Sequence, residues 1–546
     1  MKLTTIQEYL AHEENLFAYT LAGIVAGALS SLIILAFKAG FEIPTGLLVP
    51  NGNIEGFESL PMLTRALLPI GGALILGISF HWFSLSNTRT GLPHTVYIVN
   101  KQHSHFPLRS LCAQFFGGIV ALASGHSVGQ EGPAVHLGAG ICATTGQRLG
   151  VPSNGLRILA GCGTAAAIAA AFNTPLAGVI FAMEVVLMEY SIAGFVPIIM
   201  AAVTATSLQR FLGDYPITAI ANYSDAITAG ELVWLIAMAF TAALASTAFV
   251  RTSQFWLKYS DTPVIARFLI AGVIVGLLSL IAPQIMGTGG DTLYEISHGN
   301  MAIATLALIA IAKIIATGSA VGLGIPGGLI GPSLIIGAAV GGLFASIATQ
   351  YFPSFEGVYA LYVLLGMAAM MSSAINAPLA AIIFIVELSY SSSILLPGLL
   401  VVVLANIFHQ SLLKQPSLAK LIFDHQGLDV SHNSVSQALS HKNVMALMNT
   451  RVIPAVTNSN LDELSQHYDF AIATEGHLFH VISLNDEQNK QRQLSATIPT
   501  TASLMEAWQM LQAKQQNYLI CTRTTKTETL YIGVLKRQDI VDYLLK

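Results

Sequence analysis

AFNTPLAGVIFAMEV at Ala171–Val185 and AINAPLAAIIFIVEL at Ala374–Leu388 agree at eight of fifteen positions, at an offset of 203 residues. Upstream, GQEGP at Gly129–Pro133 and GLIGP at Gly328–Pro332 form a second pair at an offset of 199. Each of these is followed by a run of small residues, AVHLGAGIC in one and SLIIGAAVG in the other. The chain therefore carries an internal repeat of about 200 residues. Glycine and proline interrupt its apolar stretches at matching places: Gly125–Pro133, Gly161–Pro175, Gly318–Pro332 and Met371–Pro378. Backbone that leaves the helix inside hydrocarbon exposes unpaired amides and carbonyls. It survives only where protein buries it or where it lines a polar cavity. Interrupted helices repeated in two halves point to a transport site at the junction of the repeats. For any single glycine, close helix packing is an equal explanation; the clusters together single out a site. The repeat does not say whether the halves are inverted or parallel.

Composition sets the surroundings. Of 546 residues, 53% are hydrophobic and 10% are charged, against about 25% charged in an ordinary soluble domain. Mean hydropathy is +0.65, so the bilayer is the solvent. Leu16–Phe37, Ala66–Trp82, Leu232–Val250 and Leu395–Leu412 read as plain spans. A net charge of −4 gives no support to a nucleic-acid partner. Cys112, Cys142, Cys162 and Cys521 are scattered without a CxxC pair, so no disulfide framework and no metal site is indicated. The last 121 residues, from Gln426, hold 21 of the 54 charges. That shift marks a soluble tail at 426–546 after a membrane domain at 16–425, with repeats at roughly 16–215 and 226–425. Residues 1–15 are polar, with Glu8, Glu13 and Glu14, and lack the basic start and cleavage site of a signal peptide. They are read as a cytoplasmic leader.

Pro133 and Pro332 suit the first turn of a helix, where a missing N–H costs nothing. The glycine-rich residues before them leave amides unpaired at a helix N-terminus, which carries roughly half a positive charge and attracts anions. Two such ends converging from the two repeats make an anion site without a full cation, which allows release as well as capture. Arg89–Pro93 (RTGLP) adds Thr90, whose hydroxyl can donate to an anion. Glu131 stands inside the first motif. A carboxylate in a membrane domain is a functional hypothesis by default. When ionised it competes with the anion for the same amides, and when protonated it withdraws. The alternative for Glu131 is a helix N-cap, a role that Ile330 in the second repeat does not share.

GQEGP, GLIGP and the two N-x-P-L-A segments resemble the CLC family of chloride channels and proton-coupled chloride transporters. The resemblance runs over roughly Leu16–Asp424. It implies an all-α polytopic fold of two inverted repeats of broken and tilted helices, in a homodimer with one pore per subunit. It makes Glu131 the gate. It assigns anion binding to Gly129, Gln130 and Gly132, to the amides of Leu329 and Ile330, and to Thr90. Chloride is the expected anion, with nitrate and bromide as further candidates. Several positions depart from the family pattern. Gln130 stands where arginine is usual, Arg89 where glycine is, and Ile330 where phenylalanine is common. The family's anion-coordinating tyrosine falls near Leu418. Val185 occupies the place of an inner proton glutamate, beside Glu184, so a proton or water path through Glu184 and Val185 is an open expectation. Proton-coupled antiport is the leading function and a passive chloride channel the alternative; neither is an enzyme. The expected setting is the lipid of a bacterial inner membrane, with both termini cytoplasmic.

In the tail, YIGVLKRQDIVDYL alternates over Tyr531–Leu535 and then turns helical. It resembles the second half of a CBS domain, a small α/β unit, while ATEGHLFHVISLNDEQ is a more degraded first copy. Gly533 and Asp539 fit the nucleotide segment of that family, with Lys536 replacing Ser/Thr. An adenine nucleotide there and a purely structural tail both stand as readings, and no other cofactor is expected. Gly322–Gly327 satisfies GxGxxG but has no βαβ unit around it, so a dinucleotide site is excluded. Ser124, His126 and Ser127 do not face one another on a helix, which argues against a serine hydrolase. His126 and His136 read as packing or vestibule residues, Lys313 as a snorkelling side chain, and Glu387 as a partner near a helix end.

Overall fold

The structure is a computed structural model and describes residues 16–50, 55–85, 88–190, 192–212, 229–351, 359–427, 439, 442–454, 465–475, 478–484, 492–524 and 529–545. The chain divides into two compact units. One comprises Thr20–Thr144 and Leu159–Val430. The other comprises Met1–Tyr19, Thr145–Ile158 and Ser431–Lys546.

Up to residue 427 the described chain is helical. Its helices run α1 (Leu16–Leu48), α2 (Met62–Trp82), α3 (Gly91–Lys101), α4 (Leu108–Ala123), α5 (Glu131–Arg148), α6 (Ser153–Phe172), α7 (Pro175–Phe181), α8 (Ile192–Leu212) and α9 (Ala229–Leu257). They continue as α10 (Val264–Ser279), α11 (Gly290–Ser297), α12 (Ile303–Gly322), α13 (Ile330–Tyr351), α14 (Tyr359–Ile375), α15 (Pro378–Ser389), α16 (Leu395–Ile407) and α17 (Leu418–His425). Among the described residues, eight helices are long and apolar enough to cross a membrane, and several apolar ones are shorter than a full span. The protein is an integral, multi-pass membrane protein.

The repeat is visible helix by helix: α4 to α8 correspond to α12 to α16. Helix α5 packs on α6 through Gly138 and Gly163. A Cβ at Gly138 would lie 2.4 Å from Gly163 O, and one at Gly163 2.1 Å from Gly138 O. In the second half, Gly337 and Gly366 repeat the contact at 2.3 and 2.2 Å. Only glycine permits that approach of two backbones.

The interruptions are narrower than the sequence suggests. Helix α6 passes unbroken through Gly161, and the break is confined to Asn173–Thr174; α12 passes through Gly318, and α14 through Met371. A glycine inside a helix leaves the backbone hydrogen bonds intact, so it does not end the helix. Asn173 (φ +58°) and Asn376 (φ +64°) do. Asparagine tolerates the left-handed conformation that stops a helix, and Pro175 and Pro378 then open the next one at its first turn. Helix α1 also outruns the expected Phe37, reaching Leu48 with Pro44 inside it.

The smaller unit contains two sheets. In the first, β1 (Val452–Pro454) runs parallel to β2 (Phe470–Glu475), which pairs antiparallel with β3 (Leu478–Ser483), and β3 with β4 (Gln493–Leu494). In the second, β5 (Ala496–Pro499) runs parallel to β6 (Tyr518–Thr524), which pairs antiparallel with β7 (Thr529–Lys536). Helix α18 (Leu504–Ala513) connects β5 to β6, and α19 (Arg537–Leu545) follows β7. The strand and helix read at Tyr531–Leu535 and beyond are β7 and α19. Phe470, Ile472 and Val481 of one sheet share a core with Tyr518, Ile520 and Val534 of the other. The tail is thus a small α/β region.

Candidate functional site

The connections after α4 and α12 meet at the centre of the larger unit. Gly129 N–H donates to Gly328 O at 2.8 Å, and Gly328 N–H donates to Gly129 O at 2.6 Å. This isolated antiparallel bridge joins the two repeats at their matched motifs. A Cβ at Gly132 would fall 2.6 Å from Gly328 Cα, and one at Gly328 2.6 Å from Gly132 N. Glycine at these positions therefore brings the first turns of α5 and α13 side by side. Each first turn adds a partial positive charge.

Glu131 is the first residue of α5 and is 3% exposed. Its Oε2 accepts from the Gly331 N–H at 3.0 Å. The acid of one repeat thus rests on the N-terminus of the other repeat's helix. A Cβ at Gly331 would lie 2.7 Å from Oε1 and 2.9 Å from Oε2, so the carboxylate occupies space that a side chain would fill. Burial of a charge is costly unless donors replace water. Here an amide and a helix end supply them.

Thr90 is the N-cap of α3 with extended backbone, yet its side chain makes no capping bond. Thr90, Gly132, Gly328 and Leu329 line one cavity of about 520 Å³, shared with Arg89 and Arg267. Of the anion-binding residues read from the sequence, Thr90, Gly132 and Leu329 meet at this cavity. Gly129 is taken up in the bridge, Gln130 is half-buried beside it, and Ile330, 1% exposed, opens α13. The sequence reading missed the Gly331 amide, although it lies in the same GLIGP segment. Leu418, at the place of the family's tyrosine, is fully buried at the start of α17 and offers no hydroxyl.

Glu184 and Glu387 exchange places between the repeats. Glu184 accepts from the amides of Leu379 (3.0 Å) and Ala380 (2.8 Å) at the start of α15. Glu387 accepts from Leu176 (2.9 Å) and Ala177 (2.7 Å) at the start of α7. Both oxygens of each carboxylate cap a helix of the opposite repeat. Val185 is buried next to Glu184, in a π-helical turn, Ala182–Leu187.

Lys313 corrects its sequence reading. It does not snorkel: the side chain is fully buried and donates to Ile285 O at 3.1 Å. Its charge and that of Glu55 act on each other. Glu55 in turn accepts from the Thr288 hydroxyl, and from Asp291 N–H at 2.8 Å. An apolar run hid this network because its members lie far apart in sequence. His126 and His136 are both fully buried.

In the tail, a Cβ at Gly533 of β7 would lie 2.8 Å from Asn449 O, so the strand is packed tightly there. Asp539 is in the first turn of α19, and burial pushes its carboxyl above the usual carboxylate range.

Comparison with known proteins agrees with this arrangement. The family model described as voltage gated chloride channel matches residues 71–410. A putative chloride channel protein ClcB-like from Ralstonia nicotianae is 27% identical over 389 residues, covering 70% of this chain and 90% of that protein. The H(+)/Cl(-) exchange transporter ClcA of Vibrio cholerae is 25% identical over 441 residues, covering 77% and 92%. The crystal structure of a slow cyanobacterial Cl-/H+ antiporter superposes with a TM-score of 0.65 at 23% identity, covering 75% of this chain and 97% of that one; this likeness establishes the fold. With the repeat, the paired half-helices and the acid between them already in place, the family match is decisive: the chain belongs to the voltage-gated chloride channel, or CLC, family, a family of channels and transporters.

Proposed function

We propose that the protein carries chloride across a membrane in exchange for protons, with Glu131 as the protonatable gate. The observation that carries this reading is the seat of Glu131. Its carboxylate accepts the Gly331 amide at the N-terminus of α13, where a permeating anion would be held. A negative side chain and a negative ion cannot share one helix end, so anion entry and gate protonation are linked. Thr90, Gly132 and the amides of Leu329 and Ile330 are the proposed anion ligands, with Gly129 and Gln130 shaping the approach.

Passive chloride conduction is the second reading, favoured by a specific feature. Val185 is apolar, and both oxygens of Glu184 are engaged in capping α15. A proton route past these residues then depends on water.

The remaining roles rest on the family resemblance. They are a homodimer embedded in lipid and a bacterial inner-membrane location with cytoplasmic termini; the proposed division into a leader at 1–15, a transport domain at 16–425 and a CBS-like tail at 426–546 rests on the shift in charge density and polarity along the chain. The tail either takes an adenine nucleotide at the segment of Gly533 and Asp539 or serves as a structural domain; no other cofactor is proposed. The test of the gate is Glu131→Gln in liposomes. Chloride flux through the variant should lose its dependence on pH. Retained pH dependence would place the gate elsewhere.

A further inference from the structure

Behind the Thr90 loop lies a polar cluster that the transport reading does not use. His136, on α5, is fully buried, as is Thr95 on α3, and Ser110 on α4 is 2% exposed. Ser110 Oγ lies 2.9 Å from His136 Nε2 and donates to Arg89 O at 2.8 Å. Thr95 Oγ1 lies 2.9 Å from His136 Nδ1 and 3.0 Å from Gly91 O. One imidazole thus reaches, through the Ser110 hydroxyl, the carbonyl that precedes Thr90, while its other nitrogen meets the Thr95 hydroxyl. His94, which lines the cavity, stacks on His136 with ring centroids 5.3 Å apart and lies 3.2 Å from Ser110 Oγ. Phe106 meets the His136 ring edge-on, with ring centroids 5.6 Å apart.

Proton counting from the Ser110 donation indicates the tautomer. A hydroxyl has one proton to give. With that of Ser110 placed on Arg89 O, Ser110 can only accept from His136, which requires a proton on Nε2. Nδ1 then holds a lone pair, and the single Thr95 hydroxyl proton stands within reach of both Nδ1 and Gly91 O, which also accepts the helical bond from Thr95 N–H. A neutral Nε2–H imidazole is compatible with these contacts.

We infer that His136 is a positioning residue for the anion ligand Thr90, acting through Ser110 to hold the preceding carbonyl, Arg89 O, away from the cavity. A carbonyl oxygen is a negative dipole end. Turned toward the cavity, Arg89 O would repel the ion that the Thr90 hydroxyl attracts. The cluster sets anion affinity at the Thr90 loop and leaves the Glu131 gate alone. This inference rests on the reading of Thr90 as an anion ligand.

The experiment measures chloride flux against chloride concentration for the full-length protein in liposomes. Ser110→Ala and His136→Leu should each raise the half-saturating chloride concentration about fivefold, the equivalent of one hydrogen bond, with maximal flux and pH dependence preserved. Ser110→Thr and His136→Gln, which retain the hydroxyl and a donor, should restore it. Thr90→Val is the control for the underlying reading. If it raises the half-saturating concentration while Ser110→Ala does not, the inference about His136 fails and the Thr90 reading stands. If Thr90→Val has no effect, the Thr90 reading itself fails. A fall in maximal flux with unchanged half-saturation in Ser110→Ala would also overturn the inference, because a role in folding alone would act that way.

Discussion

At the residue scale, Glu131 and Gly331 are two halves of one device. The carboxylate fits because Gly331 has no side chain, and it is held because the Gly331 N–H has no other helical partner. A methyl group at residue 331 would meet the end of the Glu131 side chain first, and that end can rotate away. Gly331→Ala should therefore fold and displace the gate. We expect chloride flux at alkaline pH, where an ionised Glu131 closes the site, to rise toward the flux seen at acid pH. Liposome flux at the two pH values checks this. An unchanged ratio would mean that the seat on α13 does not close the path.

At the element scale, the broken helices are stabilised across the repeat boundary. Glu387 caps α7 and Glu184 caps α15, so each half holds the other's helix end. Loss of a helix cap costs about 1 kcal/mol, and the two caps lie on different helices. Glu387→Ala and Glu184→Ala should each lower stability by about that amount, with roughly additive effects in the double variant, as measured by denaturant unfolding in detergent. A Glu184→Gln variant that keeps its stability but loses proton flux would instead assign Glu184 to a proton path. The matched segments were legible because local sequence encodes helix starts: proline at the first turn, and asparagine before it. The reciprocal capping was not, because it joins residues some 195 to 211 apart in the chain. The exact breaks were overestimated because glycine in a helix looks, in sequence, like glycine at its end. In the tail, burial raises the Asp539 carboxyl, so the folded tail binds that proton more tightly than the unfolded chain does. The resulting stabilisation is full below the unfolded value, about 3.9, and is lost as pH rises through the folded one. Asp539→Asn should raise the stability of the tail at pH 7 and lose this advantage below about pH 4, followed by hydrogen exchange in β6 and β7. An equal gain at both pH values would contradict the sign.

At the scale of the whole molecule, two related halves place two helix ends and one acid at a shared centre. Composition alone pointed to the bilayer, and the repeat alone pointed to the junction. What the sequence withheld was the partner of each group: Lys313 reads as an isolated cation in an apolar run, yet it lies buried, bonded to Ile285 O and within the field of Glu55. His136 similarly reads as packing until Ser110 and Thr95, from two other helices, are seen at its two nitrogens. The central claim is that an anion and a protonated Glu131 share one gated path, and it is tested most directly by recording chloride and proton fluxes together in liposomes containing the purified protein. The account predicts that a chloride gradient drives protons uphill in wild type and ceases to do so in Glu131→Gln while chloride still moves. Chloride movement in wild type that never drives a proton would contradict exchange and leave a channel.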